Sequence, residues 1–169
     1  RTIDDVIDYC NQTGKGGYLL AQDTSKAFDS ISKQFLLEAF NVFGFGAQFR
    51  KWVSVITSGS MSCINHAGWL SEPFKVTCGI RQGCPFSPLA YVLAVELMAI
   101  KIRHSSIKGI TLPSPETESA HLKIKQLADD TTLFLQDKQD MKIAKSILDS
   151  FAGFSGLKLN VEKTKAIDR

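Results

Sequence analysis

Leu122-Lys123-Ile124-Lys125-Gln126-Leu127-Ala128-Asp129-Asp130-Thr131-Thr132-Leu133-Phe134-Leu135 is the stretch on which the fold turns. Apolar and polar residues alternate from Leu122 to Leu127, Asp129-Asp130 breaks the alternation, and Thr131 to Leu135 resumes it. A period of two belongs to half-buried strands, so the stretch predicts a β-hairpin with two acids at its turn. Tyr18-Leu19-Leu20-Ala21-Gln22 predicts another strand, which runs straight into Asp23. If these strands are neighbours in one sheet, three carboxylates converge, and like charges repel there unless cations stand between them. Taken alone, Asp-Asp is equally an ordinary turn feature.

Working outward, Thr2 to about Cys10 predicts a helix, closed off by Gly14-Lys15-Gly16-Gly17. Leu36, Ala39, Phe40 and Phe43 lie at helical spacing within Ser32 to Phe43, before Gly44, and a further helix runs from about Ala47 to Ser58. Met61 to Asn65 and Phe74 to Thr77 are short strands able to pair around His66-Ala67-Gly68. Pro88 opens the longest helix, to about His104, because proline is tolerated in a first turn. Ile107 to Leu112 is extended, Leu112 to Ser119 is a loop, a helix spans about Lys138 to Phe151, and Gly156 to Asn160 and Thr164 to Ile167 are extended. Helices and strands without strict βα alternation predict an α+β fold, a sheet with helices packed on one face.

The chain of 169 residues is 44% hydrophobic and 22% charged with a formal charge of +3, which suits one globular domain that needs no disulfide or structural metal. Cys10, Cys63, Cys78 and Cys84 form no Cys-x-x-Cys, so reduced intracellular thiols are expected. The longest apolar run, Leu89 to Val95, stops at Glu96, far short of the roughly 20 residues of a membrane span, so no membrane is expected. Lys101, Arg103, Lys108, Lys123 and Lys125 form a basic cluster, either a nucleic-acid path or a solvated face.

Carboxylates at strand ends suit Mg²⁺, which takes oxygen ligands and is usually held by one or two carboxylates together with substrate phosphates. A pair of such ions about 3.5–4 Å apart can activate an attacking 3′-hydroxyl and stabilise leaving pyrophosphate, the chemistry of a nucleotidyl transferase. Four motifs surround the acids in fixed order: Asp23-Thr24-Ser25-Lys26-Ala27-Phe28-Asp29, Gly79-Ile80-Arg81-Gln82-Gly83-Cys84-Pro85-Phe86-Ser87-Pro88, Leu127-Ala128-Asp129-Asp130, and Ser155-Gly156-Leu157-Lys158-Leu159-Asn160 with Lys163-Thr164. In these motifs the chain resembles the palm of a reverse transcriptase, most of all those of non-long-terminal-repeat (LINE-type) retrotransposons, over nearly its whole length.

The resemblance implies a right-hand polymerase palm, with fingers partial and thumb absent, in one domain fragment over residues 1–169. It implies two Mg²⁺ ions, or Mn²⁺, on Asp23, Asp129 and Asp130, with the backbone carbonyl of Thr24 as a lesser ligand. Phe28 matches the bulky residue under the nucleotide sugar that excludes a 2′-hydroxyl, although its residue type equally suits a core Phe. Asp29 is read as structural, bonding the local backbone. Gly79 and Gly83 let backbone approach substrate closely, Arg81 and Gln82 offer donors to the incoming nucleotide, and Gly83, Pro85 and Ser87 lie toward the nucleic acid. Lys163 matches a position near the triphosphate. Glu96 is read as structural.

The partners implied are an RNA template, a DNA primer and deoxynucleoside triphosphates, in the nucleus and cytoplasm, with fingers and thumb supplied by a longer protein. Gln22, where an apolar residue is usual, implies an edge strand or a tolerated change, and Phe86 replaces a smaller aliphatic residue. The alternative is an inactive nucleic-acid-binding remnant of such a domain. A nucleotide cyclase, with similar paired acids, lacks the Arg-Gln-Gly and Ser-Gly-Leu-Lys-Leu-Asn stretches.

Overall fold

The computed structural model describes residues 2–14, 16–113, 120–159 and 165–168. Helix α1 (Thr2–Thr13) leads into strand β1 (Tyr18–Gln22), the two-residue β2 (Thr24–Ser25) and a single turn α2 (Ala27–Ser30). Helices α3 (Lys33–Val42) and α4 (Ala47–Thr57) follow. The Ser32 side chain caps α3 by accepting the Phe35 N–H at 3.2 Å, which sets the predicted start of that helix.

Strands β3 (Met61–Ser62), β4 (Asn65–His66), β5 (Trp69–Leu70) and β6 (Phe74–Lys75) make an arm in which β3 pairs with β6 and β4 with β5. The predicted hairpin is therefore present, closed by Ala67-Gly68. Helix α5 (Phe86–Arg103) begins two residues before Pro88, which still lies in the first turn. Eight of its residues are buried, and they touch two different core clusters, so α5 is the internal axis of the molecule.

Strand β7 (Ile110–Leu112) pairs with β8 (Ala120–Leu122), then β9 (Ile124–Leu127) pairs with β10 (Asp130–Leu135). The strand predicted as continuous from Leu122 to Leu127 is thus broken at Lys123, where the pairing partner changes. Helix α6 (Lys138–Ser155) runs past the predicted Phe151 to a left-handed cap at Gly156, and β11 (Lys158–Leu159) and β12 (Lys165–Asp168) finish the chain's described part.

The main sheet has the order β12-β1-β10-β9 and is antiparallel throughout. Strand alternation sends Leu20, Leu133 and Leu135 to one face, where they pack with Met98, Ile102, Ala144 and Leu148 of α5 and α6. Leu19 and Phe134 face the other way, onto Val6 and Cys10 of α1 and Ile110 of β7. The two long helices cover one face as expected, and α1 adds cover on the other. Gln22 lies on a strand flanked on both sides, which corrects the edge-strand reading; it is buried, and among the described residues its Oε1 has no hydrogen-bond partner. No helix among the described residues is long and apolar enough to cross a membrane.

Candidate active site

The site begins with register. Gln22 of β1 pairs with Thr131 of β10, so the next residue of the first strand, Asp23, and the preceding residue of the other, Asp130, stand at the same end of the sheet. Asp129 sits in the two-residue turn Ala128-Asp129, where Ala128 takes φ 53°, the sign that such hairpins require at that place. The two acid-bearing segments are neighbours, as the sequence required for convergence.

Tyr91 of α5 reports how the carboxylates face. Its side chain is hydrogen-bonded to that of Thr24, and its hydroxyl lies in the field of both Asp129 and Asp23. Burial foremost pushes the phenol up to about 12, against the opposing hydrogen bond from Thr24, and Asp129 and Asp23 add smaller upward pushes. Asp23 and Asp129 are half-buried, whereas Asp130 is exposed. Among the described residues no three acidic, histidine or cysteine side chains gather around one point. The fields of Asp23 and Asp129 thus meet at Tyr91, and Asp130 follows Asp129 at the first position of β10.

The first and second motifs are sewn together through backbone. The Gly79 N–H donates to the Ile31 carbonyl and the Ile80 N–H to the Phe28 carbonyl, each at 2.8 Å. Gln82 Nε2 donates to Asp29 Oδ1 at 3.1 Å, so the Asp29 carboxylate bonds across to the second motif and not to its local backbone, which corrects that expectation. Gly79 takes φ 80°, and a Cβ there would stand 2.7 Å from the Asp29 carbonyl oxygen. Its close approach is to the protein's own backbone, not to a substrate. Gly83 also takes φ 80° but faces open space.

Phe28 is half-buried and stacks on Tyr91 with ring centroids 4.9 Å apart and planes inclined by 27°. Arg81, Gln82 and Pro85 are exposed. Arg81 and Gln82 line a cavity of about 440 Å³ with Asp29, Lys33, Met61 and Val76. Ser87, expected to lie toward nucleic acid, is buried in the first turn of α5, so in this arrangement it offers no surface contact. Hydrogen bonds from the start of α5, foremost the Phe86 backbone, hold the Cys84 thiol below its ordinary pKa. Lys158 belongs to β11, which pairs with β2, while Lys163 lies outside the described residues.

The basic cluster is largely committed to local contacts. Arg103 pairs with Glu96, Lys108 Nζ is 2.9 Å from Asp137 Oδ2, and Lys123 Nζ donates to the carbonyls of Arg103 and Ser105 at the end of α5. These bonds favour the solvated-face reading. Sequence reasoning missed Tyr91 altogether, since helical periodicity marks it only as core; an aromatic with a polar tip on an apolar helix was the available signal.

Comparison with known proteins places this geometry. The chain is 29% identical over 166 residues to the Transposon TX1 uncharacterized 149 kDa protein of Xenopus laevis, covering 98% of this chain and 12% of that protein. It is 28% identical over 161 residues to the Retrovirus-related Pol polyprotein from type-2 retrotransposable element R2DM of Drosophila melanogaster, covering 95% of this chain and 15% of that one. It thus spans 12–15% of the length of these relatives. Among solved structures, apo telomerase from Candida tropicalis, truncated from its C-terminal domain, superposes with a TM-score of 0.69 at 16% identity, over 98% of this chain and 34% of that one. Telomerase from Candida albicans, solved with a fragment of telomeric RNA, gives 0.66 at 15%, over 98% and 29%. At such identities the likeness establishes the fold, a palm-type arrangement of antiparallel sheet and helices. A family model described as reverse transcriptase (RNA-dependent DNA polymerase) matches residues 1–169. Matched from its first residue to its last, the chain belongs to the reverse transcriptase family.

Proposed function

We propose that this chain is the palm core of an RNA-directed DNA polymerase of a retrotransposon, which adds deoxynucleotides to a primer 3′-hydroxyl on an RNA template. The observation that carries the reading is the antiparallel register of β1 on β10, which brings Asp23 and the Asp129-Asp130 turn to one sheet end. The retrotransposon relatives support the source, and the telomerase solved with RNA supports a nucleic-acid template.

The donor set fits Mg²⁺, or Mn²⁺ with the same hard oxygen preference. Asp23 and Asp129 both act on one hydroxyl, the Thr24 carbonyl lies next in the chain, and Asp130 is adjacent. Two carboxylates without a full protein cage suit a cation that completes its shell with water and phosphate. When bound, a pair of such ions supplies Lewis-acid activation of the 3′-hydroxyl and neutralises charge on the reacting phosphate. The chain's own residues then divide the remaining work. Phe28 places a ring under the nucleotide sugar where a 2′-hydroxyl would clash. Gln82, oriented by Asp29, and Arg81 present donors into the cavity beside them. Gly83 and Pro85 shape the exposed loop past which the template runs.

Primer extension on an RNA template tests the reading, using the chain joined to the segments that flank it in its gene. Mg²⁺-dependent incorporation is expected, reduced at least about a hundredfold by Asp129→Asn with Asp130→Asn. Incorporation that survives both replacements would overturn the assignment. Salt-dependent RNA binding without extension would instead identify an inactive remnant.

A further inference from the structure

Tyr91 links the two halves of the candidate site. Its ring stacks on Phe28, its hydroxyl bonds Thr24, and Asp23 and Asp129 both act on it. It comes from α5, whose neighbours Ala90, Ala94 and Val95 are all buried, so the ring stands on a fixed helix and not on a loop. Tyr91 itself is 1% exposed, and therefore meets no substrate.

Phe28 needs such a support. It lies in α2, one turn of helix that follows Lys26 in a left-handed conformation, φ 49°. No local helix long enough to be self-stable holds it. Its position depends on the Ile80 N–H bonded to its carbonyl and on the ring behind it. Offset aromatic pairs attract beyond the effect of their buried area, which favours one rotamer of the Phe28 ring over the others. Exclusion of a single hydroxyl demands that rigidity, since a ring free to swing aside excludes nothing.

We infer that Tyr91 is a positioning residue for sugar selection: its ring clamps Phe28 in the place where Phe28 discriminates deoxynucleotides from ribonucleotides. The inference rests on the polymerase reading above. It predicts a division between the two parts of the Tyr91 side chain. The ring sets selectivity, and the hydroxyl, bonded to Thr24, is dispensable for it.

The test measures kcat/KM for deoxynucleotide and ribonucleotide incorporation by the full polypeptide. Tyr91→Leu is expected to lower the preference for deoxynucleotides by about tenfold or more, because a small misplacement of a contact group suffices for such a change. Tyr91→Phe should retain the preference within about twofold, a rescue by the ring alone. Tyr91→Met, closer to the original volume, replaces Tyr91→Leu if the leucine protein does not fold, and should behave as leucine does. Phe28→Val provides the reference for lost exclusion. If Phe28→Val relaxes sugar choice while Tyr91→Leu and Tyr91→Met do not, the clamp is overturned and the polymerase reading stands. If the unsubstituted protein incorporates nothing, the polymerase reading fails and the role of Tyr91 falls with it.

Discussion

Tyr91 also carries the clearest titration signature among the described residues. Its phenol is pushed up to about 12 from an ordinary 10.0, by burial and then by Asp129 and Asp23. The folded chain keeps this proton at pH values where the unfolded chain has lost it. The resulting contribution to stability is intact below pH 10 and disappears as pH rises through about 12. Absorbance titration should show a late phenolate step near 12 that Tyr91→Phe abolishes. Individual residues were legible in the sequence where their role is set by chain neighbours: Asp23 at a strand end and Asp129 at a turn both lie where the alternation placed them. Roles set by distant partners were not. Asp29 reaches Gln82 across 53 positions, and Gly79 presses on Asp29 across a similar span; neither contact has a local signature.

Elements followed the same rule. Helix α3 matched its predicted limits because its cap is the adjacent Ser32, whereas α6 overran Phe151 because the stop is Gly156, not the helical Gly153. The break at Lys123 was invisible because Leu122-Lys123-Ile124 keeps a period of two while the strand changes partner. Lys123 marks that change by turning its ammonium onto the end of α5. Asp140 is a second long-range tie the sequence concealed, since an acid in the first turn of a helix resembles ordinary end-charge placement. It is 1% exposed and accepts the N–H groups of Lys108, Gly109 and Gln136 at 2.9, 3.1 and 2.8 Å. Asp140→Ala leaves these donors unpaired and should cost about 3 kcal/mol or more. Asp140→Asn, which keeps one acceptor oxygen, should cost less, with both read from urea unfolding followed by circular dichroism.

At the scale of the molecule, burial is uneven. The core is shared among the sheet, α5, α3 and α6, while α4 turns Trp52, Val55 and Ile56 outward and the arm of β3 to β6 exposes Trp69 and Leu70. Both tryptophans of the chain are thus largely in solvent, at 59% and 82% exposure. Tryptophan emission should already be red-shifted in the native chain and change little on unfolding, so that only circular dichroism reports the transition. A large blue shift on folding would contradict this placement.

The position of β1 between β10 and β12 has a consequence in time as well as in space. Its partners lie roughly 110 to 150 residues further along the chain, separations that make pairing slow because a long loop must close first. During synthesis, Asp23 and Phe28 leave the ribosome long before the strand that gives them a sheet to stand on. The sheet end that carries the candidate acids is therefore assembled late, because Asp23 is made roughly a hundred residues before the strand it must stand beside.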